Sequence, residues 1–469
     1  MRENHKAHSA EMSGRPRRPI CYYGDDFTGS TDVLEALFRS GMKPVLFLEA
    51  PTAEQLDGRF AWADAFGVAG VGRSMSPDEM ERELRPIFET LKGAGASIVH
   101  YKICSTFDSS PHTGSIGKAA ELGRDVFGGR YIPLLVGVPY LGRYTLFGHH
   151  FAAAGERVYR LDRHPTMSRH PVTPMDEADL LLHLSKQTPL RTSLMDILAL
   201  DGELGEVRAR LEARLAEESP DVVLFDAFDE KRLRTVGRLM LEEGERSGPL
   251  FVVGSSGVEY ALGACLEEDG SVRREASEEA SVGSVDRLLV VSGSCSPVTE
   301  KQIAEALEAG FAGIRAPVHE LIRPELAGEA RRRLLDEARS YLLAGRSVVL
   351  YSAFGPADPS IAALRLALED LGLRAEDSSR VLGAELGALT RTLVAEAGLS
   401  RVLIAGGDTS GYVARELGIY ALECVSALAP GAPLCRAFSS DAALDGLELV
   451  LKGGQVGGER FFERVLQGG

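Results

Sequence analysis

Adjacent carboxylates at Asp25 and Asp26, followed by Thr28, Gly29, Ser30 and Thr31, concentrate more polar chemistry in one short stretch than a helix cap consumes. The stretch follows the apolar run PICYY (19–23) and precedes a segment in which Val33, Leu34, Leu37 and Phe38 recur at helical spacing. It therefore reads as a strand-to-helix turn. In open α/β sheets ligands gather at the carboxyl ends of strands, where the next helix offers free N–H groups. An ordinary helix cap is the plain alternative and accounts for one or two of these residues.

A second polar cluster leaves the run SIVHY (97–101) as Lys102, Cys104, Ser105, Thr106, Asp108, Ser109 and Ser110. One cation, one carboxylate and several hydroxyls suit a polyhydroxylated acid. Arg143 follows another apolar run and suits a carboxylate, although a lone surface arginine is the plain reading. The stretch YRLDRHPTMSRHPVTPM (159–175) carries Arg160, Arg163 and Arg169 between three prolines, which preclude regular structure and suit an ordered binding loop. His149, His150, His164 and His170 share no metal-ligand spacing, so they read as hydrogen-bonding loop residues.

The second half of the chain repeats one device three times. Apolar runs end in Ser292-Gly293-Ser294, in Gly406-Gly407-Asp408-Thr409 and in Lys452-Gly453-Gly454 with Gly457, each before a helical pattern. Small residues let the backbone approach a polyanion, helix starts supply oriented N–H groups, and Lys452 adds a point charge. A single turn of this kind is explained by backbone conformation alone. Three in one domain suggest a nucleotide pocket, although neither GxxxxGK[ST] nor GxGxxG is present.

These turns need strands and crossover helices to hold them. Runs at 44–48, 97–101, 131–136, 222–225 and 250–253, and again at 287–292, 346–351, 401–405 and 447–452, alternate with amphipathic stretches. That cadence predicts mainly parallel α/β sheets. The polar stretch EEDGSVRREASEEASVGSVD (267–286) reads as a linker, giving two α/β domains over 16–270 and 285–469 with the active site in the cleft between them. The 469 residues, 44% hydrophobic, suit two such cores. A net charge of -16 argues against a nucleic-acid or anionic membrane surface. Six cysteines without CxxC pairs read as reduced thiols in a cytoplasmic protein, and the basic tail before residue 19 lacks the apolar core of a signal peptide.

In order along the chain, GDDFTGSTD (24–32), KICSTFDSSPHTGSIG (102–117), HPVTPM (170–175), VSGSCSPVT (291–299), AGGDTSG (405–411) and LKGGQVGG (451–458) resemble the four-carbon acid sugar kinase family over residues 20–465. The resemblance implies phosphorylation of acids such as threonate, erythronate or 3-oxo-tetronate by ATP with Mg²⁺. It implies an N-terminal domain for the acid and a C-terminal domain for ATP. Asp25 or Asp26 would then serve the reacting hydroxyl as catalytic carboxylate, beside Thr28 and Gly29. Lys102, Ser105, Thr106 and Asp108, with Arg169, would contact the acid. Ser292, Ser294, Gly406, Gly407, Asp408, Thr409, Lys452, Gly453, Gly454 and Gly457 would contact the nucleotide. Many relatives carry Glu where this chain has Asp408, and the shorter acid would shift a metal or ribose contact there without abolishing the chemistry. The intact 159–175 loop resembles a subgroup acting on branched or oxidised acids such as 3-oxo-isoapionate. Metal ligands and a homodimer stay open. A sugar-acid sensor without turnover and a dehydrogenase are the alternatives, and ATP binding separates them.

Overall fold

The computed structural model describes residues 18–170, 172–272, 282–374 and 377–469, apart from the side chain of Asp408. The basic tail and residues 273–281 of the expected linker lie outside the described residues, and Glu267 and Glu268 close the helix Gly257–Glu268.

Eleven strands lie in the first part of the chain: β1 (Ile20–Gly24), β2 (Pro44–Phe47), β3 (Ala65–Ala69), β4 (Ile98–Lys102), β5 (Ile132–Leu135), β6 (Arg143–Leu146), β7 (His149–Ala154), β8 (Arg157–Arg160), β9 (Thr192–Met195), β10 (Val222–Phe225) and β11 (Leu250–Gly254). The main sheet runs β2-β3-β1-β4-β11-β5-β10-β9, parallel from β3 onward. β1, β4, β10 and β11 are buried along their whole length, as strands covered on both faces are, whereas the edge strand β9 is half-buried at alternate residues. β6, β7 and β8 form a separate antiparallel meander. Among the described residues from 161 to 175, two 3-10 turns, Leu161–Arg163 and Met167–Arg169, interrupt an otherwise irregular backbone.

The later part contributes β12 (Leu289–Ser292), β13 (Ala312–Arg315), β14 (Val348–Tyr351), β15 (Arg401–Ala405), β16 (Ile419–Ala429), β17 (Ala432–Ser439) and β18 (Glu448–Lys452). The order β13-β14-β12-β15-β18 is parallel, and β17 and β16 continue it antiparallel. This hairpin, turning at Pro430-Gly431, was not part of the expected cadence. Its alternating burial and turn dipeptide are the local signal for it.

The chain divides into two compact units, but not by a single cut at the linker. Asp26–Arg39 and Leu46–Glu49 belong with the C-terminal unit, while Ser40–Val45 and the chain from Ala50 belong with the N-terminal one. The helix Phe27–Arg39 explains the first exchange. Its Glu35 carboxylate accepts from Gly431 N at 2.7 Å, and Arg39 donates to Ala427 O at 3.4 Å. A Cβ added at Gly411 would lie 2.9 Å from the Phe27 ring, so the helix packs where glycine leaves room. Among the described residues, no helix is long and apolar enough to cross a membrane.

Candidate active site

In the N-terminal unit the chemistry sits where β1 and β4 end side by side. Gly24 pairs with Lys102, and Asp25 N donates to Lys102 O at 2.9 Å, extending the ladder by one residue. The turn after β3 brings Arg73 to the same place. Its Nη2 donates to Asp25 Oδ1 at 3.0 Å, and its backbone N donates to Asp25 O at 2.8 Å. Arg73 was not singled out from sequence. Its signal was the surrounding GVAGVGRS (67–74), where Gly70 is obligatory because a Cβ there would enter the Tyr23 ring.

The residues after β4 fold into a polar knot. Lys102 is only 3% exposed and Asp108 5%. Thr106 Oγ1 donates to Asp108 Oδ1 at 2.6 Å and lies 3.0 Å from Cys104 Sγ. Burial opposes the Asp108 charge, yet the Arg73 guanidinium and the Thr106 hydroxyl outweigh it and hold the carboxyl below its ordinary range. Phe107 takes a φ of 55°, a left-handed conformation rare for a bulky residue, and marks a knot fixed by its surroundings. His150 fastens one side: its Nε2 donates to Ser105 O at 2.8 Å, and its Nδ1 accepts from Thr145 Oγ1 at 3.0 Å. Burial keeps this ring neutral, with its pKa pushed down to about 4. Of the remaining acid-binding candidates, Ser105 is half-buried, whereas the Arg169 side chain is exposed and no bond among the described residues joins it to this knot.

Asp26 begins the exchanged helix. Its Oδ1 accepts from Gly29 N at 2.7 Å, so it serves as the helix cap the plain reading expected. Thr28 lies on the side of the glycine turns. Methyl groups built at Gly407 and Gly453 would stand 3.9 and 3.5 Å from it.

In the C-terminal unit the three turns emerge from adjacent parallel strands at one height. Ser292 pairs with Ala405, and Ala405 with Lys452. Gly293 N donates to Ala405 O at 2.9 Å and Gly406 N to Lys452 O at 3.0 Å. The helix Pro297–Glu308 then stitches the first turn to the third. Ser296 Oγ and Thr299 Oγ1 both donate to Gly454 O, the latter at 2.9 Å, and Gln302 Nε2 donates to Val456 O at 3.0 Å and Gly458 O at 2.9 Å. Three of the glycines resist side chains. A Cβ at Gly293 would lie 2.6 Å from Thr409 and one at Gly454 2.7 Å from Ser294 Oγ, and Gly457 has a φ of 87°.

Lys452 sits in this backbone cradle 1% exposed, donating to Thr299 Oγ1 at 3.2 Å. Among the described residues no carboxylate lies within ion-pair distance of it, and burial pushes its pKa down to about 8. A buried ammonium beside a glycine-lined row of strand ends has the donor chemistry for a polyphosphate. Serine and threonine hydroxyls line the same turns. Asp408 begins the helix Gly407–Glu416, with its side chain outside the described residues. Among the described residues, no group of three His, Cys, Asp or Glu side chains is placed to hold a metal ion.

One unit carries a hydroxyl- and charge-lined knot, the other a glycine-lined row of strand ends with a buried lysine, and comparison with known proteins gives the chain its class. Residues 20–262 match the family described as a sugar-binding N-terminal domain, and residues 289–462 the family described as a nucleotide-binding C-terminal domain. The chain is an ATP-dependent sugar-acid kinase. It is 44% identical to 3-oxo-isoapionate kinase of Paraburkholderia graminis, covering 96% of this chain and 94% of that protein. It is 31% identical to 3-oxo-tetronate kinase of Methylobacterium radiotolerans, covering 94% and 97%, and 29% identical to 3-oxo-tetronate kinase of Salmonella typhimurium, covering 94% and 97%. In solved structures, a Salmonella typhimurium LT2 protein matches with a TM-score of 0.76 at 26% identity, covering 95% of this chain and 98% of that one. Haemophilus influenzae protein HI1011 shares the fold, with a TM-score of 0.71 at 23% identity over 95% and 98%. The chain belongs to the four-carbon acid sugar kinase family. The sensor alternative is not favoured, because the curated relatives are kinases.

Proposed function

We propose that the chain phosphorylates a terminal hydroxyl of a branched or 3-oxo sugar acid, with 3-oxo-isoapionate as its substrate. The observation that carries this reading is the step in similarity: 44% to a 3-oxo-isoapionate kinase over nearly the whole chain, against 31% and 29% to 3-oxo-tetronate kinases of comparable coverage. In this reading Lys102, Ser105, Thr106 and Asp108 receive the acid, and the three glycine turns with Lys452 receive the ATP phosphates. Asp25, paired to Arg73, is the fixed negative charge, and Asp26 takes the proton of the attacking hydroxyl. Mg²⁺ would neutralise the phosphate oxygens as the phosphoryl group transfers through a loose transition state. It needs few protein ligands beyond the phosphates, and the hydroxyl-rich turns are compatible with it.

The natural setting is cytoplasmic sugar-acid catabolism, and the oligomer expected is a homodimer. Light scattering tests the oligomer. Turnover of 3-oxo-isoapionate against 3-oxo-tetronate, followed by ADP release, tests the substrate. Equal or better turnover of the tetronate would move the assignment to the wider family activity.

A further inference from the structure

Arg143 opens β6 at the edge of the polar knot, and its surroundings differ from those of a surface arginine. The side chain is half-buried, and its Nη1 donates to the carbonyls of Leu141, Gly142 and Ala153 at 3.0, 3.3 and 3.3 Å. Its Nε is fully buried and has no hydrogen-bond partner. Among the described residues no carboxylate forms an ion pair with it. The groups nearest in charge are the Cys104 thiol and the rings of His150 and His164, both held below ordinary imidazole basicity by burial. A buried N–H without an acceptor is costly to retain, and such an orphan marks a site for a missing partner.

The scaffold holds this arginine at a fixed height beside the acid-binding loop. Asp226 clasps the β6–β7 turn, accepting from Phe147 N at 2.5 Å and Gly148 N at 3.0 Å. Thr145 and Ala227 exchange backbone bonds at 2.9 and 3.0 Å. Across the hairpin, His150 ties it to Ser105 O in the loop that carries Thr106 and Asp108. Because the three carbonyls occupy Nη1, the Nε–Nη2 edge remains as two parallel donors, the geometry that a carboxylate matches with both oxygens.

We propose that Arg143 is the carboxylate-reading residue of this kinase, taking the acid group of the substrate on its Nε–Nη2 edge and so selecting sugar acids over uncharged sugars. The proposal rests on the sugar-acid kinase reading and assigns its specificity to one side chain. The exposed Arg169 lacks this fixed edge.

The test compares wild type, R143M and R143K on 3-oxo-isoapionate and on its uncharged primary amide, with KM for ATP and melting temperature measured alongside. Wild type should favour the acid, and R143M should raise KM for the acid roughly 100-fold while KM for ATP and for the amide stay within about twofold. R143K, which keeps the charge without the two-pronged edge, should fall between. A folded R143M that still prefers the acid overturns the proposal, as does a parallel loss on acid and amide, which marks a structural role. Should R143M fail to fold, R143K decides: a loss confined to the acid supports the assignment and an unchanged acid KM overturns it. Wild type that releases no ADP with any sugar acid would instead defeat the kinase reading itself.

Discussion

The two polar regions solve opposite problems with opposite materials. Around residues 102–110 the proposed acid site is built from side chains: Thr106 Oγ1 is bonded to Asp108 at 2.6 Å and lies 3.0 Å from Cys104 Sγ, His150 donates to Ser105 O at 2.8 Å, and Lys102 is buried. Around residues 292–299, 405–411 and 451–458 the proposed nucleotide site is built from backbone, with Gly293, Gly454 and Gly457 where a Cβ would collide and one buried lysine for charge. A polyphosphate presents the same oxygens whatever nucleoside carries it, so N–H groups and one cation suffice. Sugar acids differ by single hydroxyls and carbonyls, which only specific side chains distinguish.

The largest effect is expected at the proposed catalytic carboxylate. D26N should lower kcat roughly 10²- to 10⁴-fold with KM for ATP nearly unchanged, as loss of a general base does. A parallel rise in KM for ATP would remove Asp26 from that role. On the backbone side, K452M should raise KM for ATP about 100-fold and leave direct binding of the acid intact, measured by calorimetry. In wild type the same lysine loses its proton near pH 8, well below an ordinary ammonium, so ATP affinity should fall as pH rises through about 8. K452R should shift that fall to higher pH, and an unchanged profile would mean that another group titrates.

Smaller effects sharpen the comparison. G454A places a methyl 2.7 Å from Ser294 Oγ and should weaken ATP roughly tenfold through backbone displacement, whereas T106V, which removes the hydroxyl's bonds to Asp108 and Cys104, should alter acid KM alone. A G454A variant that lost the acid and kept ATP would reverse the assignment of the two regions. The smallest effect is one of stability. Burial holds His150 at about 4, below the ordinary imidazole value, so the unfolded chain binds its proton first as pH falls. Stability present above pH 6.5 is therefore lost progressively down to pH 4, by about 2 kcal/mol at pH 5. H150Q should flatten that slope in denaturant titrations, and an equal slope in both proteins would show that His150 does not cause it.

The glycine turns were legible because each is local: an apolar run, a small-residue turn and a helix start lie consecutively, and the parallel register then aligns them without further instruction. What the sequence hid depends on distant partners. The helix Phe27–Arg39 reads as part of the first domain until Glu35 is seen bonded to Gly431, and Thr28 therefore lies beside Gly407 and Gly453 of the glycine turns. Arg73 gains meaning only from Asp25, 48 residues away. Arg143 reads as a surface residue until its carbonyl cradle is folded. The β16–β17 hairpin carried a local signal in Pro430-Gly431, but its alternation was hidden among small apolar residues.

The central claim is tested most directly by coupled ADP release with Mg-ATP and a panel of 3-oxo-isoapionate, 3-oxo-tetronate, threonate and erythronate. The account predicts that 3-oxo-isoapionate is turned over with kcat/KM at least about tenfold above every other acid, a margin that one well-placed pocket contact supplies. Equal turnover of 3-oxo-tetronate, or no ADP release with 3-oxo-isoapionate, would contradict it.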